Sequence, residues 1–491
     1  MQLPPRPSRP RPTLALTLPQ VWLGLSIALP VLGALIAPMS ATDLAYHLRA
    51  GAEILDTGAI PTVDTWTFTA AGTEWVDQQW AAQAVFAAIH RAGGWAGLIV
   101  FRAVLVGIAF GLLGIAIRRR NAGLSERTVG LLVVGAFVVA APALALRPQL
   151  IAVVLFAATL AVVAGRGRNR RTLLLLPIIV VAWANVHGSF VLGPALVGLA
   201  WLEDVHERAP RAWLSFVVAV VAAVAALVNP LGAGVWVYAA GISLDPTVTA
   251  RITEWQPTTV RDVPGMLFWA SAAGVAVLLA RRRATTPWPA LVTLAAFAVL
   301  AAYTVRGLAW WPPVAAMVVA GLLPPTPISS RTPQRAVANG LILLAVVAAG
   351  LVATPAWRPT DPATGAPRGA LTEAPSGITA GLRGIVTRGD RIWNPQSWGS
   401  WLEFALPDLP VALDSRIELF PPGTWADLDA LRGARADWAT VLDRHGVTIV
   451  VTQASDDAVL AAALSADASW HASYADAEGT IWVRADRPSV P

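Results

Sequence analysis

What most constrains this chain is a succession of apolar runs, each close to the roughly twenty residues a helix needs to cross a bilayer, broken by short arginine clusters. The runs cover residues 18–39, 95–117, 128–146, 150–164, 172–184, 190–202, 213–227, 266–280, 288–303, 308–323 and 336–353, about eleven spans. With 56% hydrophobic and 13% charged residues, against about a quarter charged in soluble domains, the chain reads as a polytopic membrane protein. The arginine clusters at 118–120, 166–171, 281–283 and 331–335 alternate with polar loops at 40–94, 229–264 and from 354 onward. By the positive-inside rule this predicts a cytoplasmic N-terminus and an extracytoplasmic C-terminus. The expected class is mainly α: a transmembrane helical bundle, N-in and C-out, with a small C-terminal α/β domain.

The expected organisation is a cytoplasmic tail at 1–17, a transmembrane domain at 18–353 with its outer loop at 40–94, a Pro- and Gly-rich linker at 354–377, and an extracytoplasmic domain at 378–491. In the last segment, strand-length runs at 391–393, 411–413, 447–452, 470–474 and 480–484 alternate with helical patterns at 398–406, 425–431, 438–444 and 457–464, a pattern that reads as α/β. Arginines precede the first apolar run, which reads as a retained helix rather than a cleaved signal peptide. All basic residues are arginine and the net charge is +6. They are scattered between apolar runs rather than gathered on one face, so no nucleic-acid partner is read. With no cysteine, disulfides, thiolate metal sites and cysteine nucleophiles are excluded.

The longest polar stretch before the middle of the chain is 41–80, which holds Asp43, His47, Glu53, Asp56, Asp64, Glu74 and Asp77. Asp43 and His47 are four apart, which places both on one face of a helix, and His47 is expected to bond Asp43. The run 79–91 is helical in pattern but too short to span, so it is placed at the outer interface. Further polar groups fall on the same side: Arg147 before Pro148, Asn185 and His187 at a helix junction, Arg251 and Glu254 expected to pair with each other, and Arg306. Ionisable groups at membrane depth usually face a cavity or a partner, so these point to one extracytoplasmic site. Trp66, Trp75, Trp80 and Trp255 read first as interfacial anchors, and Asp414-Ser415-Arg416 as an internal ion pair.

Several short motifs in order, TD-x-x-YHLRAG, G-x-IP-x-x-D, W-x-x-QQW, RPQ, W-x-N-x-HG, NP-x-G and EW, followed by NPQSWGSWLEF and ALDSRIELF, resemble a family of bacterial multipass proteins of the GT-C glycosyltransferase superfamily. The resemblance covers nearly the whole chain, and it implies transfer of a sugar from a polyprenyl-phosphate donor to an envelope glycan, lipid or protein at the outer face. It places Asp43 as the catalytic acid of the first outer loop, where an Asp serves as general base, with His47 beside it. Arg147, Arg251 and Arg306 are the candidate partners of the leaving lipid phosphate, since a guanidinium fork suits phosphate. Asn185, His187, Glu254, Gln79 and Trp80 complete the expected substrate-binding set. Relatives carry acids where this chain has Ala41 and Gln79, which removes carboxylates that a hard divalent cation would use. No metal ligand is therefore assigned and no cofactor is fixed. A catalytically silent scaffold and a transporter of a lipid-linked substrate are the alternatives.

Overall fold

The computed structural model describes residues 14–283, 285–327 and 334–487. Most of the expected 1–17 tail, and Arg331 of the 331–335 cluster, lie outside them. The N-terminal helices are α1 Leu18–Ile36, α2 Ala41–Thr57, α3 Trp80–Arg120, α4 Glu126–Ala140, α5 Pro148–Gly165, α6 Leu176–Ala184 and α7 Leu192–His206. There follow α8 Trp213–Ala225, α9 Gly234–Leu244, α10 Pro246–Arg251, α11 Val263–Arg281, α12 Trp288–Tyr303, α13 Trp311–Leu322 and α14 Val337–Ala353. Among the described residues six helices are long and apolar enough to cross a membrane, and five more are apolar but shorter. Two departures from the sequence reading stand out. The 172–184 run is a 3-10 turn leading into the nine residues of α6, and the 229–264 loop contains the apolar helix α9.

Local chemistry explains the elements that hold the polar end of the bundle. Ser40 caps α2 by accepting from the Thr42 amide, and Gly58 ends the helix in the left-handed conformation with its N–H on the Ile54 carbonyl. Glycine is required again at Gly51, where a Cβ would meet the Gln83 carbonyl at 2.0 Å, so α2 lies directly against α3. Gly94, at φ 57 and ψ −153, breaks α3 where the sequence separates the 79–91 run from the next span. Arg102, within α3 and 3% exposed, donates to the carbonyls of Ala37 and Pro38 at the end of α1. A cation there satisfies helix-end acceptors.

Charged groups collect at the other end of the same helices. Arg147 precedes α5 and Arg166 follows it, which sets them about 27 Å apart at 1.5 Å per residue. Arg166 pairs with Glu203 and Asp204, Arg170 with Asp204, and Arg120 with Glu203. The arginine clusters 118–120 and 166–171 thus come together at one end, as the alternation of loops predicts.

Beyond α14, the chain forms α15 Ser376–Ile385, α16 Gln396–Ala405, α17 Pro422–Arg432, α18 Trp438–Arg444 and α19 Ala458–Ala466. Four strands, β1 Ile392–Trp393, β2 Ile449–Gln453, β3 Trp470–Ala475 and β4 Gly479–Arg484, make one sheet in the order β1-β2-β4-β3, in which β1 and β2 run parallel and the other pairs antiparallel. The expected strand at 411–413 is reduced to bridges from Val411 to Thr67 and Ile392. Val411 is drawn instead into the contact with the 40–80 stretch. There the Phe68 amide donates to the Val411 carbonyl at 3.1 Å, and Arg49 donates to the carbonyls of Glu403 and Pro407 at 2.7 and 3.1 Å.

A candidate polar active site beside an apolar chamber

Asp43 sits in the first turn of α2, where a carboxylate also complements the helix dipole. Its Oδ2 lies 3.0 Å from Nε of Arg147, and Arg147 in turn pairs with Oε1 of Glu254. The other carboxylate oxygen of Glu254 lies 3.4 Å from Nε of Arg306, whose guanidinium stacks over Trp255 at 4.8 Å. The result is a chain of alternating charge, Asp43–Arg147–Glu254–Arg306, joining four segments distant in sequence. Asp43 above all, against the pull of burial, and then Glu254 hold the Arg147 guanidinium above its ordinary value.

This chain lines a cavity of about 320 Å³, which also receives Arg251, His187, His47 and Gln79. An adjoining cavity of about 370 Å³ is walled by apolar groups, including Val191, Leu192, Trp236, Ile242, Leu300 and Trp310. The two share Gln79, Gln149, His187, Tyr238, Ile242, Trp255 and Arg306, so a molecule with a charged head and a greasy tail can occupy both at once.

The two histidines are neutral. His187 opens the 3-10 turn Gly188–Val191, and its Nδ1 accepts from the Ser189 amide at 3.1 Å. The proton therefore sits on Nε2. Burial first, then the Arg306 guanidinium, lowers His187 to about 3. His47 is 2% exposed, and burial, then Arg147, depress it well below the ordinary range. The expected His47–Asp43 bond is absent: His47 Nδ1 lies 3.3 Å from Gln83 Nε2, which also donates to Asp77 Oδ1 at 2.8 Å. One helical turn along α2, the imidazole is turned to α3 while Asp43 is drawn to Arg147.

Asp77 is 8% exposed, and burial above all pushes its carboxyl up to about 7 from 3.8, against the Gln83 hydrogen bond. The folded state therefore holds a proton that the unfolded chain has lost. Its stabilising contribution is complete below pH 3.8 and is lost as pH rises to about 7. Asp77→Asn is expected to flatten that part of the pH–stability curve, measured as the thermal midpoint of the purified chain in detergent from pH 5 to 8. An unchanged slope would show that Asp77 is ionised throughout.

Other expectations need correction. Arg251 does not pair with Glu254. It lies over Trp425 at 4.6 Å and its Nη2 pairs with Asp429 at 2.8 Å, because α10 packs toward the C-terminal segment. Trp80 and Asn185 bond each other, Nε1 to Oδ1 at 3.1 Å, and brace α3 against the end of α6 outside the lining of both cavities. Trp66 and Trp75 are buried, at 5% and 6% exposure, rather than interfacial. Sequence reasoning misses Tyr46, Gln149, Tyr238, Gln396 and Glu418, and reads Ser415 chiefly as part of an internal ion pair with acceptor binding second; all six line the polar cavity. Ser415 and Glu418 fall in the quoted ALDSRIELF motif, the signal that would have found them.

Among the described residues no group of three His, Asp or Glu side chains stands close enough to hold a metal ion. The Arg147 guanidinium lies between Asp43 and Glu254, so as arranged these carboxylates do not fit a divalent cation.

No family model and no curated protein matches this chain. Solved structures do. The archaeal oligosaccharyltransferase AglB from Archaeoglobus fulgidus, in complex with an inhibitory peptide and a dolichol-phosphate, aligns over 88% of this chain and 69% of its own length, at 10% identity and a TM-score of 0.58. The apo oligosaccharyltransferase from the same organism aligns over 89% and 69%, at 10% identity and a TM-score of 0.54. ArnT from Cupriavidus metallidurans aligns over 94% and 97% at 15% identity, with a TM-score of 0.44 that is too loose to define a fold. The chain is a membrane protein that shares its fold with the archaeal oligosaccharyltransferase.

Proposed function

We propose that the chain is a glycosyltransferase that takes a sugar from a polyprenyl-phosphate donor and passes it to a hydroxyl-bearing envelope glycan, lipid or protein on the extracytoplasmic face. The observation that carries this reading is the junction of the two chambers. Arg306 lines both and Arg147 lines the polar one, beside the carboxylate of Asp43. The prenyl chain lies in the apolar chamber with its phosphate between Arg306 and Arg147, and His187 offers Nε2–H to the same head group. The sugar then occupies the polar chamber. Asp43 takes the proton of the acceptor hydroxyl as its oxygen bonds the anomeric carbon. The bond from that carbon to the phosphate oxygen breaks, and the arginines receive the charge that develops on the leaving polyprenyl phosphate. The dolichol-phosphate in the archaeal neighbour's complex supports a lipid-phosphate ligand in general.

Glu254 neutralises both arginines when no phosphate is present, and the incoming phosphate takes over those contacts. Arg306→Ala is thus expected to weaken binding of undecaprenyl phosphate about tenfold or more, since a charge-assisted contact is lost, whereas Glu254→Gln strengthens it. Titration of the purified chain with fluorescent undecaprenyl phosphate measures both. Equal affinity in all three proteins would place the lipid phosphate elsewhere. Transfer assayed with radiolabelled polyprenyl-phosphate pentoses and hexoses tests the reading as a whole, and a wild-type protein inert toward every donor would favour a scaffold.

A further inference from the structure

The polar chamber is completed by the C-terminal segment. Ser415 Oγ donates to the Thr42 carbonyl at 3.0 Å, one residue before Asp43, and Gln396, Ser415, Ile417 and Glu418 all line the cavity. Two positions from Glu418, Arg416 is 1% exposed and pairs with Asp64 at 2.7 Å, which pins this segment to the 40–80 stretch. Glu418 breaks the burial pattern of its surroundings. Ile417 and Leu419 are each 5% exposed, yet Glu418 between them is an exposed residue whose free surface is that of the cavity.

The other two acidic residues of the chamber are engaged, Asp43 with Arg147 and Glu254 with Arg147 and Arg306. Among the described residues no side chain pairs with Glu418. A carboxyl that faces an open cavity without a protein partner is free to hydrogen-bond a polar ligand that enters it.

We infer that Glu418 is a substrate-contacting residue: it hydrogen-bonds a saccharide hydroxyl in the polar chamber, on the transferred sugar or on the acceptor. Phosphate is a poor partner for it, because a carboxylate repels phosphate and the phosphate-binding arginines are already gathered at the chamber junction. Desolvation by the neighbouring backbone and the low-dielectric walls of the cavity raises its carboxyl above the ordinary range, although its surface is open to the chamber, with Arg416 and Arg306 among the opposing influences. The protonated form can donate to a hydroxyl as well as accept from one. The inference rests on the glycosyltransferase reading, and it makes the C-terminal segment part of the site rather than a passive appendage.

Two arms test it on the full chain in detergent. In the first, the wild-type protein is treated with a water-soluble carbodiimide and glycine ethyl ester, and modified carboxyls are located by peptide mass spectrometry. Glu418 is expected to react ahead of Asp43 and Glu254. An unreactive Glu418 beside a reactive Asp43 or Glu254 would overturn the inference even if the protein had no measurable transfer.

In the second arm, Glu418→Gln and Glu418→Ala are compared with wild type in transfer from polyprenyl-phosphate hexoses and pentoses. A KM raised about tenfold with kcat changed much less is expected for loss of a binding contact. A rise in the donor KM puts the hydroxyl on the transferred sugar, and a rise in the acceptor KM puts it on the acceptor. If both constants of both variants match an active wild type, Glu418 touches no substrate and the transferase reading stands without it. A wild type inactive with every donor fails that reading instead.

Discussion

Asp43→Asn is expected to reduce sugar transfer about a thousandfold while leaving the protein folded, because the amide keeps the shape of the carboxylate and loses only its capacity to accept a proton. The surroundings favour a clean result. Ser40 caps α2 independently of Asp43, and Arg147 keeps Glu254 as a partner when Asp43 is neutralised. An unchanged thermal midpoint and an unchanged affinity for undecaprenyl phosphate are therefore expected beside the lost turnover. Asp43→Glu keeps a base but moves it by one methylene, and it is expected to retain a few per cent of activity. Transfer by the Asn variant at more than a third of the wild-type rate would assign the proton to another group, with Glu418 the next carboxyl of the chamber.

The apolar runs and the arginines between them disclose a helical membrane bundle, since bilayer thickness and the cost of charge in lipid act residue by residue. Pairings across the chain are not disclosed in that way. A spacing of three suggests that Glu254 pairs with Arg251, but α10 turns Arg251 toward Asp429 and leaves Glu254 to Arg147 and Arg306, more than fifty residues away on either side. The same blindness affects Trp66 and Trp75. Sequence shows two tryptophans in a membrane protein, for which an interfacial role is the usual reading, and it cannot show that Arg416 comes from the far end of the chain to lie between them. Asp43, Arg147, His187 and Arg251 line one cavity. They can be grouped because each lies in or beside a polar loop on the same predicted side of the bundle, a property that alternation of loops does encode. The apolar chamber beside them had no such signal, since its walls come from residues indistinguishable in sequence from lipid-facing ones.

Arg416 carries the second large effect. Its guanidinium lies 4.4 Å from the ring of Trp66 and 4.5 Å from that of Trp75. Nε donates to Asp414 at 2.9 Å and Nη2 to Asp64 at 2.7 Å, with Glu403 4.0 Å away. Burial above all pushes the Glu403 carboxyl well above its ordinary range, and Arg416 pairs with both Asp64 and Asp414. Removing the cation strands two carboxylates at zero exposure. Arg416→Ala is therefore expected to cost about 3–5 kcal/mol and to free the C-terminal segment to early proteolysis. Arg416→Lys restores a charge but neither the planar stack nor the forked donors, so it is expected to recover less than half of that loss. Combining Arg416→Met with Asp64→Asn and Asp414→Asn removes the stranded charge, and the triple variant should melt above Arg416→Ala although it lacks every ionic contact of the cluster. Thermal midpoints in detergent and the protease sensitivity of the segment after residue 370 give the order. If Arg416→Ala melts with the wild type, this buried cluster is not what fastens the C-terminal segment over the site. If the triple variant melts below Arg416→Ala, the cost lies in lost packing and hydrogen bonds rather than in unpaired charge.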